Sequence, residues 1–268
     1  MRIIGLGQVV FAIAITGLGV LSLVTGHFAS VWQPVPLWLP WREYFAYGNG
    51  LLMCAAGVGL LAGRTALLAA FTLTVYLLVW LVVLHVPLVV AAPLKEVTWG
   101  GCAENATLVA GGWILYASLA TQGDRTPLKF ITAERGLRIA RILFAIALPF
   151  IGLEHLLYAQ STADLVPAWL PYRLGWAYLT GAGHIAAGVG ILLAICPRLA
   201  ATLEAGMMSL FTLLIWVPAV AAAPTHRFQW TALLISSAIT GAAWIVAESY
   251  RGAPWLAWRS PTSNPASV

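Results

Sequence analysis

"VPLWLPWREYFAYGNGLLMCAAGVGLL" (35–61) and "VPAWLPYRLGWAYLTGAGHIAAGVGIL" (166–192) are one pattern written twice, 131 residues apart. The two stretches share 15 identities over 27 positions, including Pro36/Pro167, Trp38/Trp169, Arg42/Arg173 and Gly50/Gly181. At the same offset "HVPLVVAAP" (85–93) falls on "WVPAVAAAP" (216–224), Trp99 on Trp230 and Trp113 on Trp244. The chain therefore reads as a tandem duplication.

Composition fixes the solvent. Of the 268 residues, 61% are hydrophobic and 9% charged, and the mean hydropathy is +0.88. Soluble domains carry about a quarter charged residues, so this surface suits lipid. The run "ALLAAFTLTVYLLVWLVVLHVPLVVAA" (66–92) has no formally charged residue, and about 20 such residues cross a bilayer as a helix. Backbone groups in lipid must bond within the protein, which selects helices. The runs lack the alternation of a membrane barrel strand. Eight spans are predicted: 4–25, 44–62, 66–91, 103–121, 139–160, 174–195, 199–222 and 229–249. The first has a basic start, but it is longer than a signal core and has a counterpart later in the chain, so it reads as a retained helix.

Each unit holds four spans. An even number inserts both copies the same way up, as parallel repeats. The expected architecture is all-α and integral to the membrane: eight transmembrane helices as two parallel-repeat four-helix bundles side by side. The first unit covers 1–122. A charged cytoplasmic linker follows over 123–138, the second unit covers 139–250, and a disordered tail covers 251–268. With the N-terminus in the cytoplasm, ten of the fourteen Lys and Arg residues fall on that side, so both termini are expected there. Topology thus accounts for the net charge of +5, and no nucleic-acid-binding pattern occurs. Cys54, Cys102 and Cys196 form no CxxC, fall at different depths and read as structural thiols. The proline motifs lie on the outer side. They read as interfacial aromatic anchors or as lids over a cavity between helices.

The stretches "DLVPAWLPYRLGWAYLTGAGHIAAGVGILL" (164–193) and "PRLAATLEAGMMSLFTLLIWVPAVAAAP" (197–224) resemble the DoxX-like group of bacterial four-helix membrane proteins. The likeness is close across 139–249 and looser across the first unit, and the double unit departs from the single four-span form. The resemblance implies a four-helix fold in a bacterial inner membrane. The group takes its name from a membrane subunit of a thiosulfate:quinone oxidoreductase, so the resemblance also implies a link to redox chemistry and quinone as a cofactor. It brings no catalytic motif that transfers residue by residue.

Polar groups within the spans mark the candidate site, because burying them in lipid is costly. His184 lies near the middle of the sixth span, with Thr180 and Gly188 on its face. The fifth span carries Glu154, His155 and Tyr158. Glu154 and Tyr158 share a face, and His155 sits about 100° around the helix. With His85, Trp169 and Tyr178 these form the candidate ligand-binding set. Glu154 with His184 reads either as a ligand or proton site or as a structural hydrogen bond between helices. Imidazole suits transition metals or a quinone carbonyl, but HxH, HxxxH and ExxH spacings are absent and no metal is assigned. His27 and His226 lie near water. Glu204 and Glu248 read as local ion pairs with Arg198 and Arg251, and Glu104 opens the fourth span, where a helix N-terminus favours an anion. In the duplication His184 falls on Met53 and His85 on Trp216, so the two halves do not share one site. No nucleotide loop, GxSxG or HExxH motif occurs.

The leading expectation is a redox-associated membrane subunit that binds a quinone or another small apolar molecule in the outer half of a bundle. The alternatives are a small-solute or lipid carrier, and a non-catalytic scaffold for another membrane or redox protein.

Overall fold

A computed structural model of the chain describes residues 5–120 and 132–258. The described residues form nine helices: α1 (Leu6–Thr25), α2 (Arg42–Leu61), α3 (Ala66–Ala91), α4 (Glu96–Ala120), α5 (Ala133–Leu157), α6 (Ala159–Leu165), α7 (Arg173–Leu192), α8 (Pro197–Ala222) and α9 (Arg227–Ser249). Six of them, α1, α2, α3, α5, α8 and α9, are long and apolar enough to cross a membrane, which marks a helical membrane protein. α4 and α7 have the length, at 25 and 20 residues. They carry the polar, glycine and aromatic positions that lower their hydropathy, Glu96, Glu104 and Asn105 in α4 and Arg173, Tyr178 and His184 in α7.

The backbone repeats its irregularities at the offset of 131. Trp41 and Tyr172, each just before α2 or α7, both adopt left-handed backbone conformations with φ of 53° and 57°. This region is unfavourable for a bulky non-glycine residue. α3 and α8 each widen into one π turn, at Leu81–His85 and Thr212–Trp216, directly before Pro87 and Pro218. Proline lacks an N–H and its ring clashes with the carbonyl four residues back, so the turn must widen. Trp99 and Trp230 donate their indole N–H to Pro93 O (2.9 Å) and Pro224 O (2.8 Å). The motif aromatics are solvent- or lipid-facing: Trp38, Trp41, Trp169 and Tyr172 are all at least 70% exposed. Their exposure suits the anchor reading.

The packing differs from two bundles that each close on themselves. Within each half the chain packs in sequence, α1–α2–α3–α4 and α5–α7–α8–α9. The fourth helices are then exchanged: α9 lies along α1, α4 lies along α5, and α4 and α9 meet between the halves. Small residues set these crossings. A Cβ on Gly241 would stand 2.5 Å from Phe11 N, and one on Gly7 2.5 Å from Ile245 N. At the centre, one on Gly111 would meet Ala242 Cβ at 2.7 Å. Buried residues make up 72% of the most apolar window of α9 but 22% of that of α8, so α9 is central and α8 peripheral.

The cytoplasmic linker expected over 123–138 falls mostly outside the described residues, and its last part is the start of α5. The segment expected to be a free tail from residue 251 is docked as far as Trp258. Cys196 N–H donates to Ala257 O (2.7 Å), Ile195 and Trp258 form a β-bridge, and Arg198 bonds Ala253 O and lies 4.0 Å from the Trp255 ring centroid. Residues 259–268 lie outside the described residues.

The Gly241 crossing gives a direct test. Gly241→Leu should force α1 and α9 apart and lower the melting temperature of detergent-extracted protein by roughly 5 °C or more. Gly206→Ala, at an open mid-helix position of α8, should leave it unchanged or slightly raised.

Candidate functional site

The second half contains a polar centre built by three helices. α5 and α7 approach closely because glycines face each other. A Cβ on Gly181 would stand 2.9 Å from Gly152 O, and one on Gly188 2.7 Å from Ala145 O. His184 lies on this same face of α7, three residues after Gly181 and four before Gly188, and is fully buried. Its small-residue neighbours are thus Gly181 and Gly188. The expected Thr180 turns its hydroxyl back to Trp176 O and Ala177 O on its own helix.

His184 Nδ1 lies 2.9 Å from Glu204 Oε1 and 3.1 Å from Oε2, with both side chains at 0% exposure. The carboxylate accepts and the imidazole N–H donates. His184 Nε2 is buried with no hydrogen-bond partner. The His155 ring lies 5.0 Å from the His184 ring and stacks on Phe211 at 5.8 Å and 16°. His155 Nδ1–H donates to Ile151 O at 2.8 Å, which leaves its Nε2 as the free ring nitrogen. Glu204 also touches the floor of a cavity of about 320 Å³ between α7 and α8.

Of the sequence-predicted residues, His155 and His184 come together and the others do not join them. Glu154 points to the opposite side of α5, into the notch left by Gly100 of α4. A Cβ on Gly100 would stand 2.6 Å from Glu154 Oε2 and 3.4 Å from Glu96 Oε1. The helical rotation that separates Glu154 from His155 explains this: one neighbour faces α7 and the next faces α4. Tyr158 and Tyr178 are exposed, and Trp169 lies in the aromatic motif at 70% exposure. His85 is buried in the first half and bonds Trp32 O through Nε2 at 3.1 Å. His27 and His226 are exposed. Glu104 accepts from Trp32 Nε1 at 2.5 Å.

Glu248 pairs with Arg251 at 3.3 Å as expected. Glu204 does not pair with Arg198. It bonds His184 instead, and Arg198 is occupied by the docked C-terminal segment. Glu204 is the residue that sequence proximity misses. The duplication carries the signal that finds it: at offset 131, Glu204 falls on Leu73 and His184 on Met53, both buried apolar residues. Two apolar positions have become polar together, and they touch.

One family model, described as a domain of unknown function (DUF8561), matches residues 144–244. That stretch contains His155, His184, Glu204 and Phe211. No curated protein and no solved structure matches the chain. Among the described residues no group of three or more His, Cys, Asp and Glu side chains is placed to hold a metal ion.

Removing one member of a buried hydrogen-bonded pair leaves the other unsatisfied, at about 1–3 kcal/mol. Glu204→Leu alone should therefore destabilise the extracted protein by about that amount. The double variant His184→Met with Glu204→Leu installs the first-half residues, and should recover stability to within about 1 kcal/mol of the starting protein. Denaturant unfolding of the single and double variants measures both.

Proposed function

We propose that the chain is an integral inner-membrane protein of the DoxX-like type in tandem form. Its second half binds a small apolar ligand, quinone-like in chemistry, at the His184–Glu204 pair. The observation that carries this reading is the buried, unpartnered Nε2 of His184 beside a carboxylate that borders a cavity. Leaving a buried polar atom unpaired costs about 1–3 kcal/mol, and a ligand with a hydrogen-bonding head removes that cost.

In this reading all eight long helices span the membrane in two parallel copies with both termini cytoplasmic. The matched left-handed residues, π turns and indole bonds at offset 131 support the duplication. α4 and α7 are then spans whose polar positions are served by neighbouring helices rather than by lipid. The polar pair lies deeper than the outer-half site expected from the sequence, since Glu204 is in the second turn of α8. The role is that of a redox-associated membrane subunit.

Protein purified in mild detergent should retain close to one equivalent of a quinone-type molecule in its organic extract. The variant carrying both His184→Met and Glu204→Leu should lose it while remaining folded. An empty extract, together with no retention of added decylbenzoquinone, would overturn the reading.

A further inference from the structure

The cavity beside Glu204 is a groove on the outer surface of the helix pair α7–α8. Gly183 and Gly190 form its α7 wall and Leu203 and Met207 its α8 wall, with Glu204 at its floor. Its rim is open: Ala186 is exposed and Leu203 is 64% exposed. α8 is also the least enclosed of the six apolar helices. In a membrane this groove faces lipid.

The duplication supplies an internal comparison. At offset 131 Gly183 falls on Leu52 and Met207 on Tyr76. Tyr76 is held in place by its hydroxyl bond to Asn49 Oδ1 at 2.6 Å and by an edge contact with Trp80 at 5.4 Å. The half that has Leu73 and Met53 in place of the polar pair thus also carries bulky side chains where the groove walls would be. The polar pair and two of the four wall positions thus differ together between the halves, while Gly190 falls on Gly59 and Leu203 on Thr72. That coupling is expected if a single ligand uses both.

We infer that the groove is a lateral port, through which a single-chain amphiphile reaches the polar pair directly from the bilayer. The inference rests on the ligand reading given above. The head of the amphiphile bonds at Glu204 and its chain lies between the Gly183–Gly190 wall and Leu203–Met207. A volume of about 320 Å³ is near the lower end for ligand sites, which run from about 300 to 1,000 Å³. It suits one head and part of one chain, not a two-chain phospholipid. An anionic head would face the Glu204 carboxylate, and a carbonyl head, an acceptor like the carboxylate, could not bond it, so the head is an uncharged hydroxyl that donates. A prenyl-type quinol, the reduced form of a quinone, and a long-chain alcohol share this chemistry.

Two photoreactive probes distinguish these sources: an alkyl hydroquinone kept reduced and a long-chain primary alcohol, each with a diazirine midway along the chain. The full chain in lipid nanodiscs is irradiated with each probe, and labelled residues are mapped by mass spectrometry. Labels are expected on the facing walls between Gly183 and Met207, and the probe that labels identifies the head. Gly183→Leu combined with Met207→Tyr should reduce labelling at least tenfold. Leu203→Trp, which blocks the rim from an exposed position and leaves the core intact, should do the same. Unchanged labelling in both variants, labels confined to other helices, or no labelling by either probe would overturn the port. If the groove variants lose label but His184→Met with Glu204→Leu keeps it, the port stands and the ligand reading above falls. If the reverse holds, that reading stands and the port falls.

Discussion

The structure depends on the exchange of fourth helices. α4 and α9 carry the main packing between the halves, α4 against α5 and α9 against α1, and the helix ring closes through them. Their meeting is possible because Gly111 lies against Ala242, with neither side chain large enough to hold the backbones apart. In lipid there is little hydrophobic gain from bringing two apolar helices together, so close packing and interhelical hydrogen bonds carry the association. The glycines at these crossings are consequently as decisive for the fold as a hydrophobic core is for a soluble domain. Arg141 of α5 ties down the end of α9 by bonding Ser249 and lying 4.2 Å from the Tyr250 ring centroid.

The scaffold is near-symmetric, but its polar chemistry is not. The second half carries His155, His184 and Glu204 where the first carries Val24, Met53 and Leu73. The first half has its own buried polar group around Asn49, which bonds Ser22 and accepts from Gln33 and Tyr76. That network is internally satisfied and holds four segments together, α1, the loop at Gln33, α2 and α3. The one in the second half is not, because His184 Nε2 has no partner. A satisfied network rigidifies, whereas an unsatisfied one costs stability unless something completes it. The same backbone thus supports a structural polar cluster in one half and a ligand-ready one in the other.

Much of this was legible in the sequence. The repeat of Val35–Leu61 at Val166–Leu192 gives the helix boundaries of α2 and α7 to within three residues, because proline, aromatic and glycine positions are local signals. His184 stood out as a polar group deep in an apolar run. Its partner did not, because Glu204 lies six residues from Arg198 in a helix and a local pair was the simpler reading. Glu154 reads from the sequence as a partner of His184, but it faces α4, and it is His155, one step of about 100° along the helix, that lies against His184. The exchange of fourth helices was not legible at all. Two identical surfaces accept either copy of the fourth helix equally, and nothing in a repeat states which copy will occupy which place.

The exchange has a consequence for how the chain is made. Gly7 of the first helix bonds Glu248 at the end of the last, across 241 residues of sequence. Chains emerge N-terminus first, so α1 is synthesised with its principal distant neighbour still absent. Until α9 arrives, the glycine face of α1 is open to lipid or to α4, the first half's own copy of the fourth helix. The ring therefore closes only when the last helix made takes its place beside the first.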